Sequence, residues 1–228
     1  MTKPDLSAAL AALLMLSACT SYVLPPPPGL TPASTLPVQG ATGFNQSSMT
    51  IGDYAVRIDR GSTQERNAEV APMSTARKRQ NYSFVITRAD STVFSGGCSL
   101  SAKATNVAAP GGVQISADEA AELDCELLPG GRGRESWRLM LTGDPDTPLH
   151  GELTGATAYT LEGVGTALGS TKHGPTGGYY IKQAGQAVAS VQTTGNRQVI
   201  FAPGAMADPL IAAAAVLLLI DESVRELD

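Results

Sequence analysis

Apolar side chains are distributed along this chain in three ways. Leu6 to Met15 form a stretch without a charge, preceded by Lys3 and Asp5. From Ser48 the period becomes two, as in strands with one buried face. After Ile51, the residues Tyr54, Val56 and Ile58 alternate with Arg57 and Asp59. Tyr82, Phe84 and Ile86 alternate with Ser83 and Thr87, and Trp137, Leu139 and Leu141 with Arg138 and Met140. Further strands are expected over residues 92–104, 123–128, 149–153, 158–163, 179–183, 187–192 and 197–202. Pro110-Gly111-Gly112, Pro129-Gly130-Gly131, Asp144-Pro145-Asp146 and Pro175-Thr176-Gly177-Gly178 read as turns, with bends at Ala184-Gly185 and Thr194-Gly195-Asn196. Residues 65–79 are polar and read as a long loop, and residues 117–121 as a short helical turn. The total is ten to twelve short strands, spaced as in an antiparallel sandwich or barrel.

The third regime is Leu210 to Ile220, eleven residues without a polar side chain. Asp208-Pro209 reads as an N-cap with Pro at the first helical position. Asp221, Glu222, Arg225, Glu226 and Asp228 follow, so a helix is expected over 208–227. Eleven residues are too few to span a bilayer. A helix that is apolar on every side must be surrounded, and in an all-β chain the inside of a closed barrel does that. The expected fold is mainly β: an antiparallel β-barrel of 10–12 strands with a buried hydrophobic C-terminal helix. A membrane-inserting C-terminal segment is the competing reading, opposed by its length and its charged exit.

Of the 228 residues, 16% are charged and 43% hydrophobic, which places the chain with folded domains rather than disordered tails or membrane bundles. A net charge of −5 argues against nucleic acid, whose phosphates need a basic surface.

The apolar stretch at the start runs into Leu16-Ser17-Ala18-Cys19. A basic start, a short apolar region and small residues at a cleavage site make a secretory signal rather than a membrane span. The four residues resemble the lipobox of bacterial lipoproteins. That resemblance implies removal of residues 1–18 and lipidation of Cys19, with three acyl chains, enough for stable anchoring. Thr20 follows the cysteine. Asp at that position tends to hold enteric lipoproteins in the inner membrane, so Thr20 favours the outer one, with the protein facing the periplasm. Pro25 to Pro28, Pro32 and Pro37 make residues 19–48 read as the lipidated residue and an extended tether, leaving 49–228 as the barrel domain. A Pro-rich recognition motif is the alternative for that segment. Cys98 and Cys125 remain as an even pair in an oxidising compartment. A disulfide between them contributes roughly 3 kcal/mol in the chain-entropy model. A redox pair or metal site is the alternative, but there is no C-x-x-C, and His150 and His173 fit no ligand pattern.

Gly178-Tyr179-Tyr180-Ile181, then Gly185-Gln186-Ala187-Val188-Ala189, then Asp208-Pro209-Leu210-Ile211 form a last meander leading into an apolar helix. This order resembles the tubby-like superfamily, which includes the tubby domain, the phospholipid scramblases and the LURP-one-related proteins. The resemblance covers roughly residues 49–228 and implies a barrel threaded by its C-terminal helix. The family's calcium and phosphoinositide positions find no match here, so no functional residue is carried over.

Candidate chemistry is sparse. Gly-x-Ser-x-Gly is absent, and both histidines sit in turn-like surroundings. Asp118, Glu119, Glu122, Asp124 and Glu126 cluster around Cys125. Such carboxylates serve glycoside hydrolysis or calcium binding, but the spacing matches no calcium loop and suits a solvated face. Arg77-Lys78-Arg79, with Arg66 nearby, is the basic run and the candidate contact for anionic headgroups. No catalytic residue, metal or cofactor is implied. The expectation is a non-enzymatic envelope protein, held to the membrane by its N-terminal lipid, that binds or scaffolds a lipid or protein partner. A hydrolase acting on peptidoglycan or lipid is the alternative.

Overall fold

The computed structural model describes residues 23–31, 35–40, 47–109, 113–131, 133–144, 147–165, 176–205, 207–220 and 222–225, and for residues 113–118 the backbone alone. Cys19, His173, Asp221 and residues 226–228 lie outside the described residues.

The described strands are β1 (Thr35–Gln39), β2 (Ser48–Ile51), β3 (Tyr54–Arg60), β4 (Gln64–Val70), β5 (Met73–Arg88), β6 (Ser91–Ala109) and β7 (Val113–Pro129). They continue with β8 (Trp137–Gly143), β9 (His150–Thr154), β10 (Tyr159–Gly165), β11 (Thr176–Gln183), β12 (Gln186–Gln192) and β13 (Gln198–Phe201). Neighbours pair antiparallel in the order β3-β2-β1-β13-β12-β11-β10-β9-β8-β7-β6-β5, and β3 pairs with β5 to close the ring. The result is a twelve-stranded antiparallel barrel, mainly β as the alternation implied. At ordinary strand spacing and tilt such a ring is about 24 Å across.

The helix α1 (Asp208–Leu219) runs up the middle. All ten residues from Leu210 to Leu219 are buried, on every side of the helix. Strand side chains alternate to meet it: β3 and β8 are each buried at every second residue, from Tyr54 to Ile58 and from Trp137 to Leu141. Each fully buried Leu or Ile contributes about 1.5–3 kcal/mol. Ala212 to Ala215 thin the middle of the helix, within a core that also holds Phe94, Leu123, Tyr179 and Phe201.

The helix is shorter than expected. It ends at Leu219, and a 3₁₀ turn, Glu222–Val224, follows. Twelve residues measure about 18 Å, and the chain turns where its side chains become charged. The N-cap is Ala207 rather than Asp208, with no side-chain cap. Asp208 instead accepts a hydrogen bond from the Tyr54 hydroxyl at 3.2 Å, and the Arg88 guanidinium lies 5.0 Å above the Tyr54 ring. Burial raises the Tyr54 pKa, and the nearby Asp208 carboxylate adds to the rise.

Residues 65–79 are not a loop. They form β4 and the first half of β5, paired from Gln64↔Arg79 to Val70↔Met73. All seven β4 residues are exposed, so neither face carries a hydrophobic period that could betray a strand. Residues 117–121 belong to β7, and 176–178 to β11 rather than to a turn. β4 lies outside the ring. With Met73–Arg79 of β5, the second half of β6 and the start of β7, it forms a flap beyond the barrel rim, at the end where α1 finishes.

The described parts of the stretch read as a tether, residues 23–31, 35–40 and 47–48, pack with the domain. β1 completes the barrel between β13 and β2. Leu24 is buried, its N–H donating to the Gln192 side chain at 3.2 Å. The Tyr180 hydroxyl donates to the Pro25 carbonyl at 2.7 Å. The polyproline run thus lies along the barrel wall, because Leu24 and Leu30 have apolar surface to bury.

Candidate functional site

The helix fills the barrel, which leaves its outer surface as the candidate binding face. An open groove of about 720 Å³ lies where the flap leaves the barrel. Two cross-strand rows build it. Asp59, Ser83, Gly97, Glu126 and Arg138 face one another across β3, β5, β6, β7 and β8. Asn81, Ser99 and Asp124 form the next row. A Cβ at Gly97 would meet open space, so the glycine leaves the floor low. The Cys98–Cys125 disulfide lies beneath that floor and joins directly facing residues of β6 and β7.

Arg138 binds Asp124 as a fork, Nε to Oδ1 at 3.0 Å and Nη2 to Oδ2 at 2.9 Å. These hydrogen bonds hold the Asp124 carboxyl below its ordinary pKa, against a smaller opposing effect of burial. The direction decides its chemistry: a general acid needs a raised pKa, and Asp124 is kept ionised. A depressed folded-state pKa contributes stability above the ordinary carboxylate range, lost as pH falls through the folded value. Arg138→Ala should return the Asp124 midpoint upward and flatten the acid side of the stability profile. An unmoved midpoint in a side-chain NMR titration would remove the fork as the cause.

Asp59 and Glu126 stand three strands apart, about 14 Å between backbones at ordinary spacing. Glycosidase carboxyl pairs sit about 5–9.5 Å apart; Asp59 and Glu126 lie outside that range, while Asp124 and Glu126, two residues apart on one face of β7, stand about 7 Å apart between backbones. His150 is exposed at the start of β9, opposite Thr142 and Glu162 and away from the groove. Of the acidic cluster, Glu122, Asp124 and Glu126 share the outer face, while Glu119 pairs across from Ala104 on the other. The side chain of Asp118 lies outside the described residues. No group of three metal-ligand side chains occurs among the described residues.

The basic run is split by the strand period. Arg77 and Arg79 point outward, and Lys78 lies on the opposite face across from Glu65. Arg66 and Lys103 take its place: Arg66, Arg77 and Lys103 face one another on β4, β5 and β6. Arg79 follows one row nearer the barrel, where its Nε donates to Ser99 Oγ at 2.9 Å. That grouping is invisible along the chain, because it depends on the register of three strands.

The flap end of the barrel is also cationic inside its rim. Arg60 faces the buried Tyr82 across β3 and β5. Burial raises the Tyr82 pKa well above the usual range. Burial lowers the Arg197 pKa, and repulsion from Arg60 adds to it. Arg225 is buried, donating to Thr176 Oγ1 at 3.4 Å and to the Asp144 and Thr147 carbonyls. These cations share the end of the barrel where the helix dipole is negative, and α1 has no basic residue in its own last turn.

Compared with known proteins, the chain matches no family model, no curated protein and no solved structure. The functional reading therefore rests on residues and geometry.

Proposed function

We propose that this chain is a lipid-anchored envelope protein with a non-enzymatic binding or scaffolding role, attached through Cys19. The observation that carries the reading is the lipobox Leu16-Ser17-Ala18-Cys19 behind a short apolar stretch. Three features support it. The Cys98–Cys125 disulfide suits an oxidising compartment outside the cytoplasm. The buried helix occupies the interior that a ligand-carrying barrel would leave open. No helix among the described residues is long and apolar enough to cross a membrane, so the C-terminal apolar run needs no anchoring duty. The partner class is a lipid or an envelope protein, and the location is the periplasmic side of the outer membrane, favoured by Thr20 after the lipidated residue. Kinship with the tubby-like superfamily belongs to the same proposal and rests on the barrel-and-helix architecture.

Cys19→Ala tests the anchor. The substituted protein should leave the membrane pellet for the soluble fraction while its melting temperature stays unchanged. A variant that still pellets with membranes in high salt would refute attachment through Cys19.

A further inference from the structure

Arg60 Nε, Gln80 Oε1 and the Tyr82 hydroxyl are buried inside the flap end of the barrel, and none has a hydrogen-bond partner among the described residues. Gln80 is 2% exposed and Tyr82 4%. Buried polar atoms in folded proteins are nearly always met by a partner, so their gathering in one place points to a ligand. The strands bring them together. Arg60 ends β3 directly across from Tyr82 on β5. Gln80 follows on the same inward face of β5, about 7 Å along the strand. Gln80 Nε2 donates to Thr63 Oγ1 at 3.3 Å, which leaves Oε1 as the free end of the amide.

Arg197 enters from the other side. Its carbonyl accepts from the Val38 N–H at 3.2 Å, which continues the β1–β13 ladder by one residue and gives Arg197 the inward side shared by the buried Val199. Burial lowers its pKa, and Arg60 is near enough to add to the fall by repulsion. Neither arginine pairs with a carboxylate among the described residues. Arg225, by contrast, is met by Thr176 and by two backbone carbonyls. Arg60 and Arg197 are half-buried, so they join this interior to solvent at the end where α1 has finished. The carbonyl end of α1 attracts cations, but Arg60 Nε and the Tyr82 hydroxyl bond none of its carbonyls.

We propose that Arg60, Gln80, Tyr82 and Arg197 form a phosphate-binding site at the flap-end mouth of the barrel, beyond the last turn of α1. Two guanidiniums suit a group that carries about −1.5 to −2 charges at pH 7, and each planar fork matches two phosphate oxygens at once. The Tyr82 hydroxyl donates a further hydrogen bond to the anion. Gln80 Oε1 is an acceptor and needs a donor. Monohydrogen phosphate has a hydroxyl to give it, and a carboxylate ligand has none. The chemistry is therefore that of a phosphate, free or at the end of a monoester. The site stands apart from the Cys19 anchor, so failure of either reading leaves the other intact.

The test uses the full chain in detergent, with inorganic phosphate as the probe and chloride at matched ionic strength as the reference. Phosphate should raise the melting temperature saturably and give a calorimetric binding isotherm. Arg60→Gln and Arg197→Gln should each weaken binding about tenfold or more, as loss of a charge-assisted hydrogen bond does. Tyr82→Phe is the sharper variant. Without phosphate it should melt no lower than the native protein, because it removes a buried hydroxyl that has no partner, yet it should bind phosphate about tenfold more weakly. A native protein that binds no phosphate overturns the proposal. So does a phosphate effect that is the same in all three variants, which is a general salt effect, and so does a Tyr82→Phe protein that melts lower without phosphate. Glu226 and Asp228, outside the described residues, are the chain's own candidate anions. Binding that appears only after Glu226→Gln with Asp228→Asn overturns the proposal in favour of those side chains. Glycerol phosphate as a second probe separates the sources. Binding as tight as that of inorganic phosphate assigns the site to a phosphorylated ligand or headgroup, and binding of inorganic phosphate alone assigns it to the free ion.

Discussion

Leu217→Asp yields no folded protein. Leu217 lies near the end of α1 and is 1% exposed, within a helix buried on all sides. An aspartate there has no route to water, and the cost of burying an unpaired carboxylate exceeds the whole stability of an ordinary domain. Raising its pKa to stay neutral still leaves polar oxygens in an apolar core and removes the leucine's own burial of about 1.5–3 kcal/mol. The expected result is insoluble protein, or soluble protein without a cooperative melting transition. Leu217→Met, similar in volume, should cost less than about 1.5 kcal/mol and serves as the control. A Leu217→Asp protein that melts like the native one would mean that α1 does not occupy the barrel.

Cys98→Ala with Cys125→Ala should lower stability by about 3–4 kcal/mol, and the melting temperature by about 6–16 °C. The two residues face each other across β6 and β7, 27 positions apart in sequence, with Cα atoms 4.1 Å apart. The chain between them is the central hairpin of the flap. On either side of the bond stand Tyr82 and Leu139, so it sits at the rim where the flap leaves the ring. Its loss should also speed amide exchange in residues 99–109 and 119–124 more than in β8 to β13, because the flap lacks a second layer. Thermal melting with and without reductant, and exchange mapped by residue, check both parts. Unchanged melting of the double variant would contradict a structural role for the crosslink.

Legibility followed burial. β3 and β8 could be read from sequence because one face meets the helix and the other meets water, which imprints a period of two. The helix could be read because full enclosure removes every polar side chain from it. The disulfide could be read from the even pair left by the cysteine count and from the compartment that the lipobox resemblance implies. β4 could not be read: a strand exposed on both faces has no apolar period, and its charges look like a loop. Pro25 to Pro28 read as an extended tether, but composition does not say whether such a segment lies against a wall. Leu24 and the Tyr180 hydroxyl decide that, through partners 168 and 155 residues apart in sequence.

The sites divide in the same manner. Arg77, Lys78 and Arg79 are contiguous in the chain, yet strand geometry puts the middle one on the other face, and pairing brings Arg66 and Lys103 to the outer two. The sequence by itself determined the β class, the buried helix and the cysteine pair, because each is a local pattern or a count. Only the tertiary structure decided that β3 meets β5 to close the ring, that the flap stands beyond the rim, and that Leu24 docks at that same end. Those facts depend on register and closure between strands distant in sequence, and no local period encodes them.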